Sequence, residues 1–415
     1  MTDWSEYTIG ECCDVLDHLR VPINAEKREN IAGDIPYYGA NGVQGYIDRY
    51  IFDEDLILMA EDGGNFEQFA TRPVAYRISG KSWVNNHAHV LRAKKGFDQA
   101  AIFYALVHKN ILPFIVGGTR SKLNQTELTT IKIRLPQNEE EQTWIGEVLS
   151  CIDRGIEWTE ALIAKENRIR TGLMQDLFSK GVDKLNNIRS DITHEFEESR
   201  VGSIPIEWHV RSLGNVGEWF SGGTPSKSNP RFWNGSFPWA SSKDMKQLRL
   251  SDTEDHITED AVKSGTRLVP KNTILIVVRG MVLAHTFPVA LTTTKMAFNQ
   301  DLKACVCNSE ISPSYLAYYL AAHGEHLLRL TTAATHGTKR IDSKELFEYE
   351  FALPKDEKEQ DKILEIIATS ESQLLALKDD LAKLIRIKRG LLQDLFTGDL
   401  NVEHLLAGYT SCQLN

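Results

Sequence analysis

The sequence predicts an α+β protein, two mixed α/β domains joined by two long antiparallel coiled-coil helices. Three observations carry that prediction. The chain repeats itself: Leu135-Pro136 through Phe178 returns as Leu353-Pro354 through Phe396, with a constant offset of 218 and no gap. Each copy sets apolar residues at a 3.5-residue period, the seam of a coiled coil. The stretches before each copy break into short β-rich runs between Gly, Asn and Pro turns.

The repeat comes first, because a missed repeat misassigns the whole fold. Gln142 matches Gln360, and Gly172-Leu173 matches Gly390-Leu391. Gln175-Asp176-Leu177-Phe178 recurs unchanged as Gln393-Asp394-Leu395-Phe396. The period is too long for a solenoid, so one domain-plus-helix unit is used twice. Weaker matches extend it. Trp4 and Ile9-Gly10 answer Trp208 and Leu213-Gly214; Ile57-Leu58 with Gly63 answers Ile274-Leu275 with Gly280; Asn85-Asn86 stands level with Asn299-Gln300. The helices have been kept while the globular parts diverged, as expected if the helices do one job twice and the domains do different jobs on one scaffold. The boundaries follow: domains at 1–138 and 205–354, helices at 139–180 and 355–398, a linker at 181–204 and a tail at 399–415.

In the second helix, alternating steps of four and three give Ile363, Ile367, Ser370, Leu374, Leu377, Leu381, Leu384, Lys388, Leu391 and Leu395. The first gives Ile145, Leu149, Ile152, Ile156, Thr159, Ile163, Glu166, Arg170, Leu173 and Leu177. The polar interruptions at Arg170 and Lys388 fall at matching places, which favours two helices packed on each other. Both begin after a Leu-Pro, with acids in the first turn where the helix dipole favours them. At ~1.5 Å per residue each helix is ~60 Å long. With one domain ahead of each helix and a short linker between units, a pseudo-twofold arrangement is expected. Within the domains, Leu56 to Ala60, Val74 to Ile78 and Ile274 to Val278 read as strands, and Gln99 to Lys109 and Pro313 to His323 as helices.

The net charge of −10 is unlike that of a nucleic-acid binder. Divided by segment, however, 1–138 carries about −2, 205–354 about +1, and the helices and linker the rest. The acid sits in the spacers, where it keeps long helices soluble, and each near-neutral domain has room for a basic face. Six scattered cysteines without a CxxC, and no secretory signal, suit a reducing cytoplasm. No apolar run approaches the ~20 residues of a membrane helix.

Most chemical motifs fail. Phe220-Ser221-Gly222-Gly223 and Asn229-Pro230-Arg231-Phe232 resemble a methyltransferase cofactor loop and catalytic tetrad. They lie too close together for a cofactor-binding sheet, and the tetrad lacks its second proline. No phosphate-cradling ATPase loop occurs. His87-Ala88-His89 would place two rings on one strand face with no carboxylate or cysteine nearby, a structural pair and not a metal site. Cys305-Val306-Cys307 reads as a pair on one face of a buried strand. No catalytic residue and no metal ligand is expected.

The remaining polar loops suit nucleic acid. In the first unit Lys27-Arg28 precedes a stretch holding Tyr37, Tyr38, Asn41 and Gln44 among glycines. In the second, Thr224 and Lys227 are followed by Trp239, Ser241 and Lys243. Each unit also has a late basic loop, with Arg120 and Lys122 in the first and Lys339 and Arg340 in the second. These residue types reach phosphates and base edges, and the late loops are expected to contact DNA, either on phosphates or on a guanine. Any one loop alone is also consistent with a solvated turn.

The phrase Pro205-Ile206-Glu207-Trp208, Leu213-Gly214, Phe220-Ser221-Gly222-Gly223-Thr224-Pro225, Phe232-Trp233-Asn234-Gly235 and Pro238-Trp239 resembles the opening of a target recognition domain in type I restriction–modification specificity subunits. Pro36-Tyr37-Tyr38-Gly39-Ala40-Asn41-Gly42 does the same in the first unit. The Leu-Pro and Glu-Gln helix starts and the Gln-Asp-Leu-Phe ends are similar to that family's conserved regions. The first unit departs from the usual opening, since Trp4 lacks a preceding proline and no Gly-Gly-Thr-Pro follows. The resemblance implies a non-catalytic subunit whose two recognition domains read an asymmetric, two-part double-stranded DNA site. It further implies that the helices set the half-site spacing and dock two DNA adenine methyltransferase subunits, joined by restriction (motor-nuclease) subunits. S-adenosylmethionine and ATP then belong to those partners, and this chain needs no cofactor and no membrane. The alternatives are a self-contained methyltransferase, a protein-binding coiled-coil scaffold, and a specificity partner of a non-type-I nuclease–methyltransferase.

Overall fold

In a computed structural model, the structure describes residues 3–117, 121–333 and 338–397. They fall into two compact units, one within Met1–Ala161 and Lys378–Asn415, the other Leu162–Leu377. Each unit therefore takes half of each long helix, Glu139–Ser179 and Glu357–Thr397.

The units share one plan. In the first, an antiparallel sheet has the order Cys13–Val15, Ala88–Ala93, Leu56–Ala60, Ala75–Ile78. The second repeats it as Gly217–Ser221, Leu302–Cys307, Ile274–Val277, Val289–Thr292, and adds Arg249–Leu250 in parallel at the edge. The central strands, Leu56–Ala60 and Ile274–Val277, are buried throughout. That explains why both read as unbroken apolar runs and not as alternating ones. A smaller sheet accompanies each. Ile35–Gly39 runs parallel to Lys81–Val84 in one unit, and Trp233–Ala240 runs parallel to Met296–Phe298 in the other.

Each domain is closed by its first and last strands. Trp4–Thr8 pairs with Lys132–Pro136, Trp4 opposite Pro136; Trp208–Ser212 pairs with Glu350–Pro354, Trp208 opposite Pro354. The last strand then feeds the long helix. The seam is as the periodicity predicts, since every position named in it is buried or half-buried. In the first unit the start of the first helix lies against the end of the second. Leu395 joins Ile145 and Leu149 in the core, and Lys388 Nζ reaches Asp153 at 2.6 Å. In the second unit the end of the first helix lies against the start of the other. Leu177 joins Ile363 and Ile367, and Arg170 Nη2 reaches Glu371 at 2.7 Å. Both units thus pair the helices antiparallel, and the two polar interruptions are interhelical ion pairs.

The linker expected at 181–204 is built into the second unit. Val182 and Ile204 are buried, and Phe196–Ser199 forms a hairpin with Gly202–Pro205. The Glu359 carboxylate holds the segment down. It accepts from Val182 N at 3.1 Å, from Trp208 Nε1 at 3.1 Å and from both terminal nitrogens of buried Arg189. Gly181 has φ +64 and lies so close that a Cβ would strike Glu359, Trp208 and Arg189. Among the described residues no helix is long and apolar enough to cross a membrane.

Candidate nucleic-acid interface

In both units the polar loops converge at one end of the central sheet. In the first, Asn41 Nδ2 donates to Gly63 O at 2.9 Å, Asn65 Nδ2 donates to Asn41 Oδ1 at 3.3 Å, and Arg72 Nη1 donates to Asn65 Oδ1 at 2.9 Å. Asn85 Nδ2 donates to Gln44 Oε1 at 3.1 Å. Glu61, just beyond the central strand, accepts from Lys122 at 2.8 Å. Asn41, Gln44 and Lys122 therefore belong to one surface, on which Asn65 and Arg72 also stand and which buried Asn85 supports from beneath Gln44.

The second unit repeats the convergence with other side chains. The Thr224 hydroxyl donates to Gln300 Oε1 at 2.5 Å. Next to Gln300, Asp301 O accepts from Val278 N at 2.8 Å and Arg279 N at 3.2 Å, and Arg279 faces Arg340 across an antiparallel strand pair. Thr224, Lys339 and Arg340 thus share one end of the unit. Gly222 is needed here, because a Cβ would collide with the carbonyls of Phe298 and Asn299. The next glycine, Gly223, meets no such crowding, and its N–H bonds to Phe298 O at 2.9 Å.

Several expected contacts are taken up inside the fold. Tyr37 is buried, and its hydroxyl donates to Ile23 O and accepts from Ile23 N at 3.2 and 3.1 Å. Arg28 lies 4.8 Å over its ring, leaving Lys27 exposed nearby. Tyr38 is half-buried against Tyr76, and burial pushes its hydroxyl above the usual range. Trp239 is buried and props up the glycine loop, its Nε1 donating to Gly223 O at 3.0 Å. Ser241 is buried and bonded to Asp244, while Lys243 lies between Glu254 and Asp255 at 3.0 and 2.9 Å. Tyr37, Trp239, Ser241 and Lys243 brace the loops, because the polar group of each side chain already has a partner. Lys227 is exposed at the rim. Arg120 lies outside the described residues.

The two histidines correct the sequence reading, which saw no carboxylate near them. His87 Nδ1 meets Asp62 at 2.6 Å, and His89 Nδ1 meets Asp17 at 2.5 Å. His89 Nε2 faces Leu123 O at 2.7 Å, so both ring nitrogens have partners. Asp17, Glu61 and His89 crowd within 4.8 Å, yet Arg20 bonds both carboxylates and Lys122 adds a second cation. Fixed cations fill the place a metal ion would take. Burial pushes the Glu61 carboxyl up, but hydrogen bonds from Lys122 and Arg20 outweigh it and hold it below its ordinary value. These acids lie far apart in sequence, so only the fold reveals the partnership.

The type I restriction modification DNA specificity domain family matches residues 1–166 and 205–386. The type I restriction enzyme EcoR124I/EcoR124II specificity subunit of Escherichia coli is 33% identical over 298 residues, 70% of this chain and 69% of that protein. The fold is similar to that of the type I restriction–modification S subunit from M. genitalium, with a TM-score of 0.59, 18% identity and coverage of 95% and 96%. It is also similar to a chain from a study of complex assembly and conformational transition of the type I R-M system, with a TM-score of 0.57, 15% identity and coverage of 96% and 100%. Family and relative are both type I, which favours that reading over a specificity partner of a non-type-I nuclease–methyltransferase. On these matches and the duplicated fold, the chain belongs to the type I restriction–modification specificity subunits.

Proposed function

We propose that the chain reads an asymmetric, two-part DNA site, one half per unit, and carries no catalysis itself. The observation that carries this reading is the convergent polar end, built twice on one scaffold from different side chains: Asn41, Gln44, Asn65 and Arg72 in one unit, Thr224, Gln300, Arg279 and Arg340 in the other. Equivalent positions with different donors and acceptors read different bases. The long helices are the docking surface for two adenine methyltransferase subunits, one per unit, with restriction subunits joining that assembly. In support, each unit leaves apolar helix residues in solvent: Trp158 (71% exposed) and Ile387 (42%) in the first, Ile169 (50%) and Leu375 (60%) in the second. S-adenosylmethionine and ATP belong to those partners.

The test is to express the chain with its methyltransferase in a host lacking other adenine methylation and map every modified base. One split motif, with unlike halves around a fixed unspecified gap, is the expected outcome. A continuous or palindromic motif would sink the proposal.

A further inference from the structure

Around one equivalent strand end the two units differ in charge, an acid in the first standing where the second has an arginine. Aligning the central strands through Ile57 and Ile274 sets Glu61 at Val278 and Asp62 at Arg279, and the strand paired with each sets Lys122 at Arg340. The backbone agrees, since Leu123 N donates to Glu61 O at 2.8 Å and Ile341 N donates to Val278 O at 2.9 Å. Lys122 stands opposite Asp62 just as Arg340 stands opposite Arg279.

In the first unit the cations at this point are already paired with carboxylates. Lys122 and Arg20 bond Glu61 at 2.8 and 2.7 Å, Arg20 also reaches Asp17 at 3.2 Å, and His87 meets Asp62 at 2.6 Å. In the second unit Val278 cannot neutralise anything. Arg279 is exposed and makes no side-chain hydrogen bond or ion pair among the described residues; there, Arg340 has only Asp342, at 3.8 Å. Like charges directly opposite on paired strands destabilise the free protein, and a bound anion removes that cost. Two guanidinium forks side by side suit a phosphate. Lys339 lies next along the strand, opposite Gly280, and Thr224 and Gln300 flank the pair through Asp301.

Resting on the DNA-reading function above, we infer that Arg279 and Arg340 together hold the DNA backbone in the second half-site, and that Lys122, the counterpart of Arg340, makes no phosphate contact. The first unit reads its half through the amides of Asn41, Gln44 and Asn65 with Arg72 beside them, and at this strand end its other cations are already paired with carboxylates, so there the salt-dependent part of binding lies in the second unit.

The test uses the full chain assembled with its methyltransferase, binding a duplex that carries the mapped site over a series of salt concentrations. Each neutralised phosphate contributes roughly 0.9 to the slope of log affinity against log salt. Arg279→Ala, Arg279→Gln and Arg340→Ala should each lower the slope by about one and weaken cognate and scrambled duplexes alike, while Arg279→Lys restores the slope. Lys122→Met should leave it unchanged. Unmoved slopes for the arginine variants overturn the inference, as does a drop with Lys122→Met equal to theirs. Relaxed preference at a single base pair, not restored by Arg279→Lys, would mark a base contact and overturn the phosphate assignment. Wild-type complex that does not prefer the mapped site sinks the functional reading itself, whereas wild-type preference with unmoved slopes sinks only this inference.

Discussion

Glu359 shows how much one side chain can hold. Its carboxylate takes hydrogen bonds from the Val182 backbone, the Trp208 indole and the Arg189 guanidinium, tying linker, first strand and helix start into one core. Glu359→Ala leaves buried Arg189 with only the half-exposed Glu207 carboxylate at 4.0 Å, and breaking such a buried pair costs ~3–5 kcal/mol. Urea unfolding should show that loss, and a change below about 1 kcal/mol would mean the pair is not the anchor. Glu61 gives a pH prediction. Its folded-state carboxyl lies below the ordinary 4.5, so its contribution is fully present above 4.5 and disappears as pH falls through the lowered value. Lys122→Met removes one of the bonds that lower it, so the variant should lose stability already above 4.5 and its acid transition should begin at higher pH. An acid transition superimposable on wild type would contradict this. Neither role was legible in the sequence. Lys122 reads as a free basic residue until the fold sets Glu61 beside it, and Tyr37 reads as a ligand contact until its hydroxyl is found on Ile23. Arg279 did have a signal, because the match of Gly63 with Gly280 places it opposite Asp62 in the alignment, but its facing partner required the strand register.

At the scale of elements, the long helices were the most legible part, because a 3.5-residue period is local information. What the pattern could not say is why Gln142 and Gln360 recur. Each sits buried one turn into its helix and binds across to the domain. Gln142 Oε1 accepts from Asp98 N at 2.9 Å, and Gln360 Oε1 accepts from Ser312 N at 2.9 Å, at the N-caps of Gln99–Leu106 and Pro313–Ala322. Their amide nitrogens donate to Pro136 O at 2.8 Å and Glu310 O at 3.2 Å. The same two domain helices bind the long helices again further along. Tyr104 bonds Asp153, which pairs with Lys388; Tyr318 bonds Glu371, which pairs with Arg170. Repeated polar residues in a diverged chain thus mark where domain and helix are locked. Gln142→Ala and Gln360→Ala should each cost ~1–3 kcal/mol, since a buried donor and acceptor lose their partners. Thermal melts of the single variants test this, and a neutral result for both would mean water replaces the amide without loss.

At the scale of the molecule, each unit is assembled from distant parts of the chain, because each core needs both long helices. The first domain precedes the first helix, yet its core is completed by Leu391, Leu395 and Phe396 from the end of the second. A chain cut after Lys180 keeps the first domain and a whole long helix but lacks those three residues. It would expose the surface they cover on Ile145 and Leu149 and leave Asp153 without Lys388. The repeat supplies a replacement from within the fragment itself. Leu173, Leu177, Phe178 and Arg170 are the counterparts of Leu391, Leu395, Phe396 and Lys388 at the common offset of 218. In a second copy they can dock where the missing helix end belongs, with Arg170 of one copy taking Asp153 of the other. The fragment should therefore sediment as a dimer at micromolar concentration. Asp153→Arg should weaken it by setting like charges across the seam, and Asp153→Arg with Arg170→Asp should restore it. A well-folded monomer, or a dimer indifferent to both substitutions, would show that the first domain does not depend on a borrowed helix.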